Sequence, residues 1–283
     1  MKKQLFSLVM MLALVIVAGS AMAQTNVTPY PGGTYSYTLS GIKTNSAGTA
    51  VIAITGANAT IKNVENSGVD YTGTNIATPA ATDFTLNFDI TYGLLATGTR
   101  TVTVTVTDGA ASGSCSNFIE LEVIINPLPT LALSIAASED QYCQNKKSSP
   151  LNDNEAASVG ATTNSFTFTV SPTITNDPDV YTYSYAITMP AAQGLATYDI
   201  AYAGPGTWNE GAGTVTGATS ETDGVFTVTF TTTTGLAPID LTATITGTPT
   251  LTATNGGATY NGTITTASDA VSVKTMPSIG TFN

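Results

Sequence analysis

The chain contains no histidine, two cysteines, one tryptophan and eight basic residues among 283 positions. Without histidine, Ser-His-Asp and Cys-His catalysis and imidazole-based zinc sites are excluded. Only 10% of the residues are charged, and the few dispersed lysines and arginines cannot form a basic patch for a phosphate backbone, so nucleic acid is not an expected partner. No glycine loop sits in the strand-to-helix setting that cradles phosphate; the glycines lie among turn residues. A carboxylate-pair hydrolase needs two acids at a defined separation in a cleft. The 19 acidic residues make such a pair available, but nothing marks one. The expectation is a protein that is not an enzyme and has no required cofactor. Beyond the N-terminus, no stretch is apolar enough for a membrane helix, and none shows the i, i+3, i+4 spacing of an amphipathic helix.

What is present begins with an export signal. Lys2 and Lys3 precede an apolar run from Leu5 to Val17, and small residues lead to Ala21-Met22-Ala23. This is the pattern of a secretory signal peptide over residues 1–23, with the mature chain starting at Gln24. Its apolar core is short for a bilayer. An uncleaved N-terminal anchor is the competing reading, and the small-residue cleavage site argues against it. No cysteine follows the cleavage site, so a bacterial lipid anchor is not expected. Removing Lys2 and Lys3 takes the formal charge from −11 to −13. The expected location is secreted, or on the outer surface of a bacterial cell, with no membrane span in the mature chain.

Alternation with a period of two runs through the mature sequence. Val102, Val104 and Val106 interleave with threonines, and Phe84, Leu86, Phe88 and Ile90 with Thr85, Asn87 and Asp89. The same pattern recurs in Ile119/Leu121/Val123, Phe166/Phe168/Val170, Tyr181/Tyr183/Tyr185/Ile187, Phe226/Val228/Phe230 and Leu241/Ala243/Ile245. Alternate side chains of a strand point to opposite faces, so each run offers one face to a core and one to water. Threonine, roughly a fifth of the chain and far above ordinary usage, is β-branched and suits strands. Short alternating runs separated by Gly, Asn, Pro and Asp clusters predict β-sandwiches. The predicted fold class is all-β, with two sandwich domains in tandem.

Asn126-Pro127-Leu128-Pro129-Thr130 divides them, because two prolines two residues apart favour a stiff extended connector. The reading is a first domain over 24–126, a linker over 127–130, a second, larger domain over 131–275 and a tail over 276–283. An internal echo supports it: Leu121-Glu122-Val123-Ile124-Ile125-Asn126-Pro127 aligns with Val271-Ser272-Val273-Lys274-Thr275-Met276-Pro277. The segment from Gly98 to Gly109, with its Thr-Val alternation ending in Asp108-Gly109, resembles the late-strand signature of PKD-like and other bacterial Ig-like domains. Cys115 to Val123, followed by the proline-rich joint, is similar to the joints of multidomain bacterial surface proteins. That resemblance implies extracellular modules used for adhesion, spacing or assembly. The Cys…Trp…Cys hallmark of antibody-type domains is absent, as is a sortase-type anchor.

Four features are candidates for function. Asn152-Asp153-Asn154-Glu155 and Asn176-Asp177-Pro178-Asp179 are oxygen-rich loops of the kind that hold calcium; ordinary polar turns are the competing reading. Trp208 lies in the glycine-rich segment Gly204–Gly211, where it either stacks on a sugar or partner or folds back to cap the sandwich edge. Tyr35/Tyr37 and Tyr181/Tyr183/Tyr185 form aromatic stripes at strand spacing that read as core. Cys115 and Cys143 fall one in each domain, just before the first domain's last strand and just after the second domain's first. They are inert thiols, a bond across the linker, or a bond between molecules; end-to-end domains disfavour the second, since bonded Cα atoms must lie within about 7 Å. The leading expectation is a non-catalytic extracellular module for adhesion or for assembly of a surface structure. Its partners would be a protein or glycan at the cell surface, or copies of itself stacked head to tail. A carbohydrate-binding module using Trp208, or an accessory domain of a secreted hydrolase system, is the alternative.

Overall fold

The computed structural model describes residues 22–24, 28–66, 69–71, 75–80, 82–109, 115–143, 163–195, 197–231 and 237–274. Their regular structure is β-strand throughout. The chain forms two compact units divided between Leu128 and Pro129, with Asn255–Ala258 grouped with the first.

The first unit contains β1 (Met22–Gln24), β2 (Thr34–Lys43), β3 (Gly48–Ile54), β4 (Ala59–Asn66), β5 (Val69–Tyr71), β6 (Asn75–Thr78), β7 (Asp83–Tyr92), β8 (Gly98–Asp108) and β9 (Cys115–Ile125). One sheet has the order β1-β2-β7-β4-β5 and the other β6-β3-β8-β9. The first, second, fifth and fourth principal strands thus face the third, sixth and seventh, the Greek-key arrangement of an immunoglobulin sandwich. The alternation decides which side chains meet. Phe84, Leu86, Phe88, Ile90 and Tyr92 of β7 join Ala50, Ile52, Val102, Val104, Leu121 and Val123 of the opposite sheet in one buried cluster. Leu39 and Ile42 both belong to it although they stand three apart. A register shift between them against β7, with Gly41 at φ +75°, is the bulge that turns both inward. The Tyr37 and Tyr92 hydroxyls meet inside the core at 2.8 Å, and the Tyr37 ring stacks on Phe88 at 5.6 Å.

The second unit contains β10 (Thr130–Ala137), β11 (Gln141–Cys143), β12 (Thr163–Thr175), β13 (Tyr181–Thr188), β14 (Thr197–Ala203), β15 (Thr207–Asn209), β16 (Thr214–Ala218), β17 (Gly224–Thr231), β18 (Ile239–Ala253), β19 (Thr259–Asn261), β20 (Thr263–Thr266) and β21 (Ser268–Lys274). The sheets run β14-β17-β12-β10-β20 and β11-β21-β18-β13-β16-β15, with β19 on β18. Taking β10, β12, β17 and β14 against β13, β18 and β21 reproduces the arrangement of the first unit. Here the leading strand is complete. β10 pairs with β12 along all eight of its residues, and Leu131, Leu133 and Ile135 are fully buried.

Three local expectations change. Cys115 does not precede the last strand of the first domain but begins it, because Cys115 and Ser116 pair with Asp108 and Thr107 of β8. Cys143 ends a separate strand that pairs in parallel with β21. Trp208 stands on β15, opposite Val215 of β16, not in an open loop.

Candidate functional site

Each domain has an opening at one side of its sandwich. In the first domain it lies between β2 and β9 and has a volume of about 390 Å³. Leu39, Ile42 and Val104 reach it from the core, while Lys43, Asp108 and Phe118 line it from nearer the surface. Its flanks are unpaired backbone among the described residues. Among the described residues β1 covers β2 only opposite Tyr37–Leu39, and none pairs with Ser40–Lys43 on that side. β9 pairs with β8 alone. Phe118 is 64% exposed, because Ile119 takes the core-facing position beside it and the alternation leaves Phe118 outside. Asp108 fixes the neighbouring turn by accepting the backbone N–H groups of Asn45 at 3.0 Å and Ser46 at 2.9 Å.

The second domain's opening, about 400 Å³, lies between β14 and the β15–β16 hairpin. Ile187, Ile200 and Met189 supply apolar lining, and Tyr198, Trp208 and Glu210 the aromatic and polar groups. The Trp208 ring stands edge-on to the core residue Phe226, with centroids 5.1 Å apart and planes at 82°. Its indole N–H is buried and has no hydrogen-bond partner. The hairpin that carries it turns tightly: Asn209 Oδ1 accepts the Ala212 N–H at 3.1 Å, and Gly213 has φ +64°. A Cβ on Gly213 would lie 2.8 Å from the Ile187 carbonyl oxygen, so only glycine fits there. The Tyr198 hydroxyl donates to the Pro190 carbonyl. Burial, then the Glu210 carboxylate, pushes Tyr198 up to about 12.

Of the remaining candidates whose side chains are described, Cys115 alone borders an opening. Asn152, Asp153, Asn154 and Glu155 lie outside the described residues. Burial, then the Glu221 and Asp177 carboxylates, raises the Tyr181 hydroxyl above its ordinary value. Among the described residues no three acidic, histidine or cysteine groups gather as metal ligands. Tyr183 and Tyr185 are buried and stack at 6.4 Å, as a core stripe should. Cys115 is an exposed free thiol bordering the first opening. Sequence reasoning missed Tyr198 and the bare β2 edge. It also missed Phe118, whose signal was two adjacent large apolar residues in an otherwise alternating strand.

No protein-family model and no curated protein matches this chain. Solved structures with similar folds include domains D2 and D3 of the major pilin SpaD from Corynebacterium diphtheriae, at 10% identity and TM-score 0.29 over 89% of this chain and 98% of that one. They include BcpA, the major pilin subunit of Bacillus cereus, at 11% identity and TM-score 0.32 over 90% and 70%. The collagen adhesin of S. aureus aligns at 8% identity and TM-score 0.18 over 90% and 95%. Likeness at this level transfers no residue role and no activity. No helix among the described residues is long and apolar enough to cross a membrane.

Proposed function

We propose that this chain is an exported, non-catalytic surface module that acts in adhesion or in the assembly of a surface structure. The supporting observation is the first domain's long edge strand. β9 runs for 11 residues, pairs on one side only among the described residues, and carries Phe118 exposed beside a cleft that reaches the core. Edge strands of this kind are blunted in most monomeric proteins because they recruit other chains; here the edge stands bare next to an aromatic anchor. Antibody labelling of intact, unpermeabilised cells tests the location, and comparison of cell aggregation and surface attachment with and without the gene tests the role. Labelling only after permeabilisation, with attachment unchanged, removes the proposal.

The second domain supports one further reading, a glycan as the surface partner. Its opening is lined by no lysine or arginine, which disfavours anionic ligands. An unpartnered indole N–H, a carboxylate and apolar side chains suit a neutral sugar, whose hydroxyls and C–H face use both kinds of contact. Trp208 is the only tryptophan, so its fluorescence reports directly on occupancy. A glycan array followed by fluorescence titration of the hits should show binding that Trp208→Ala abolishes. Array hits that survive this substitution would exclude the second-domain opening.

A further inference from the structure

The second domain displays in full a strand of which the described residues of the first hold only three. β10 lies along β12 for eight residues and sends Leu131, Leu133 and Ile135 into the core. Among the described residues, the strand in the corresponding place of the first domain, β1, spans three residues and covers only Tyr37–Leu39 of the ten-residue β2. Two of those three, Met22 and Ala23, lie on the signal-peptide side of the expected cleavage point, so a mature chain starting at Gln24 keeps one residue of the strand. Among the described residues, what remains is a slot with unpaired backbone on both flanks, Ser40–Lys43 of β2 and the outer edge of β9. Its floor is Leu39, Ile42 and Val104. Unpaired sheet edges bind extended chains through main-chain hydrogen bonds. An apolar floor adds roughly 25 cal/mol for each Å² it covers.

We infer that this slot accepts an extended strand from a second copy of the chain, residues 276–283, which takes in the first domain the place that β10 holds in the second. The segment follows β21, which ends at Lys274. Its sequence, Met-Pro-Ser-Ile-Gly-Thr-Phe-Asn, carries no charge and spaces Met276, Ile279 and Phe282 with small residues. An uncharged segment enters an apolar slot without the desolvation cost of a buried ion. Eight extended residues span about 26 Å, enough to follow the β2 edge. Each copy then donates from its second domain and accepts at its first. Such a contact is heterologous, and where its rotation does not close, it propagates into a filament. The inference rests on the assembly branch of the proposed function.

Purified mature chain, residues 24–283, provides the test. Light scattering over rising concentration should show the mass climbing to at least about twice the monomer, as open head-to-tail association requires. Deleting residues 277–283 should hold the protein at monomer mass with its thermal midpoint unchanged. A synthetic 276–283 peptide should bind that deleted form and slow amide exchange at Ser40–Lys43 and Cys115–Ile119. The same peptide in excess should dissolve wild-type assemblies. A wild-type monomer at every concentration, assembly that survives the deletion, or a peptide that protects other amides overturns the inference. A peptide copied from Thr130–Ala137 that binds where 276–283 does not also overturns it, because the tail is then not the occupant. Surface labelling of cells is independent of all these outcomes, so a monomeric protein still found on the surface sinks the strand donation alone.

Discussion

In the first domain the strand that flanks β2 has three residues, whereas in the second β10 flanks β12 over eight. The two domains share one strand arrangement and close it on opposite sides. Among the described residues, the first is open along most of the place its leading strand would take. The second is sealed there and is open instead between β14 and β15. The chemistry of the openings follows from what borders them. Two bare sheet edges over Leu39, Ile42 and Val104 present main-chain donors and acceptors, which suit another strand. A short hairpin carrying Trp208 and Glu210 presents side chains, which suit a small ligand. Completing or shortening one edge strand therefore changes what kind of partner a sandwich of this type can recruit.

The comparison breaks most visibly if β10 is less important to its domain than its burial indicates. Leu133→Ala, at a fully buried position, should cost roughly 2–5 kcal/mol in denaturant unfolding of the second domain. Ile42→Ala, facing the first opening, should cost clearly less, because part of its surroundings is already open. Equal losses would mean that the first slot is as well packed as the second domain's core.

A smaller effect is expected from the buried hydroxyl pair of the first domain, Tyr37 and Tyr92. Tyr37→Phe leaves the Tyr92 hydroxyl without the partner it now holds at 2.8 Å and should cost about 1–3 kcal/mol. Replacing both tyrosines with phenylalanine should recover much of the loss. If the double variant is worse than the single one, the pair is not the reason these hydroxyls are tolerated in the core.

Alkaline pH should treat the domains alike. Burial, as the largest cause, pushes Tyr92 in the first and Tyr198 in the second from 10.0 to about 12. The folded chain holds these protons more tightly than the unfolded chain, so between pH 10 and 12 the unfolded state binds fewer protons and stability falls as pH rises. The contribution is whole below pH 10 and is lost as pH climbs through the folded value. Thermal midpoints recorded from pH 9 to 12 should decline in both domains over this window, and a decline confined to one would separate them.

The smallest expected effect is calcium's. The loops at 152–155 and 176–179 belong to the second domain, and a bound ion would raise that domain's thermal midpoint by mass action. Ordinary polar turns are the competing reading of both loops, and the expected shift between millimolar calcium and chelator is close to zero. A rise of several degrees in the second domain alone would establish an ion site there and add a further contrast between the two.

The sequence by itself determined the fold class, most of the strands and the faces they bury. Alternation is a local property, and Phe84 through Ile90 or Val102 and Val104 declare their inward face whichever strand lies beside them. It also marked the chemistry the chain lacks, since the absence of histidine does not depend on folding. Tertiary structure alone decided which edges remain unpaired. A three-residue and an eight-residue leading strand are distinguished by what they pair with, and pairing joins residues far apart in sequence, as Leu133 is from Pro172. The inward turn of both Leu39 and Ile42 required the bulge at Gly41, which appears only against the register of β7. Trp208 sat in a glycine-rich segment that read as a loop. Its place beside Phe226 was set by the β15–β16 hairpin packing across the sandwich, a long-range contact that no local pattern encodes.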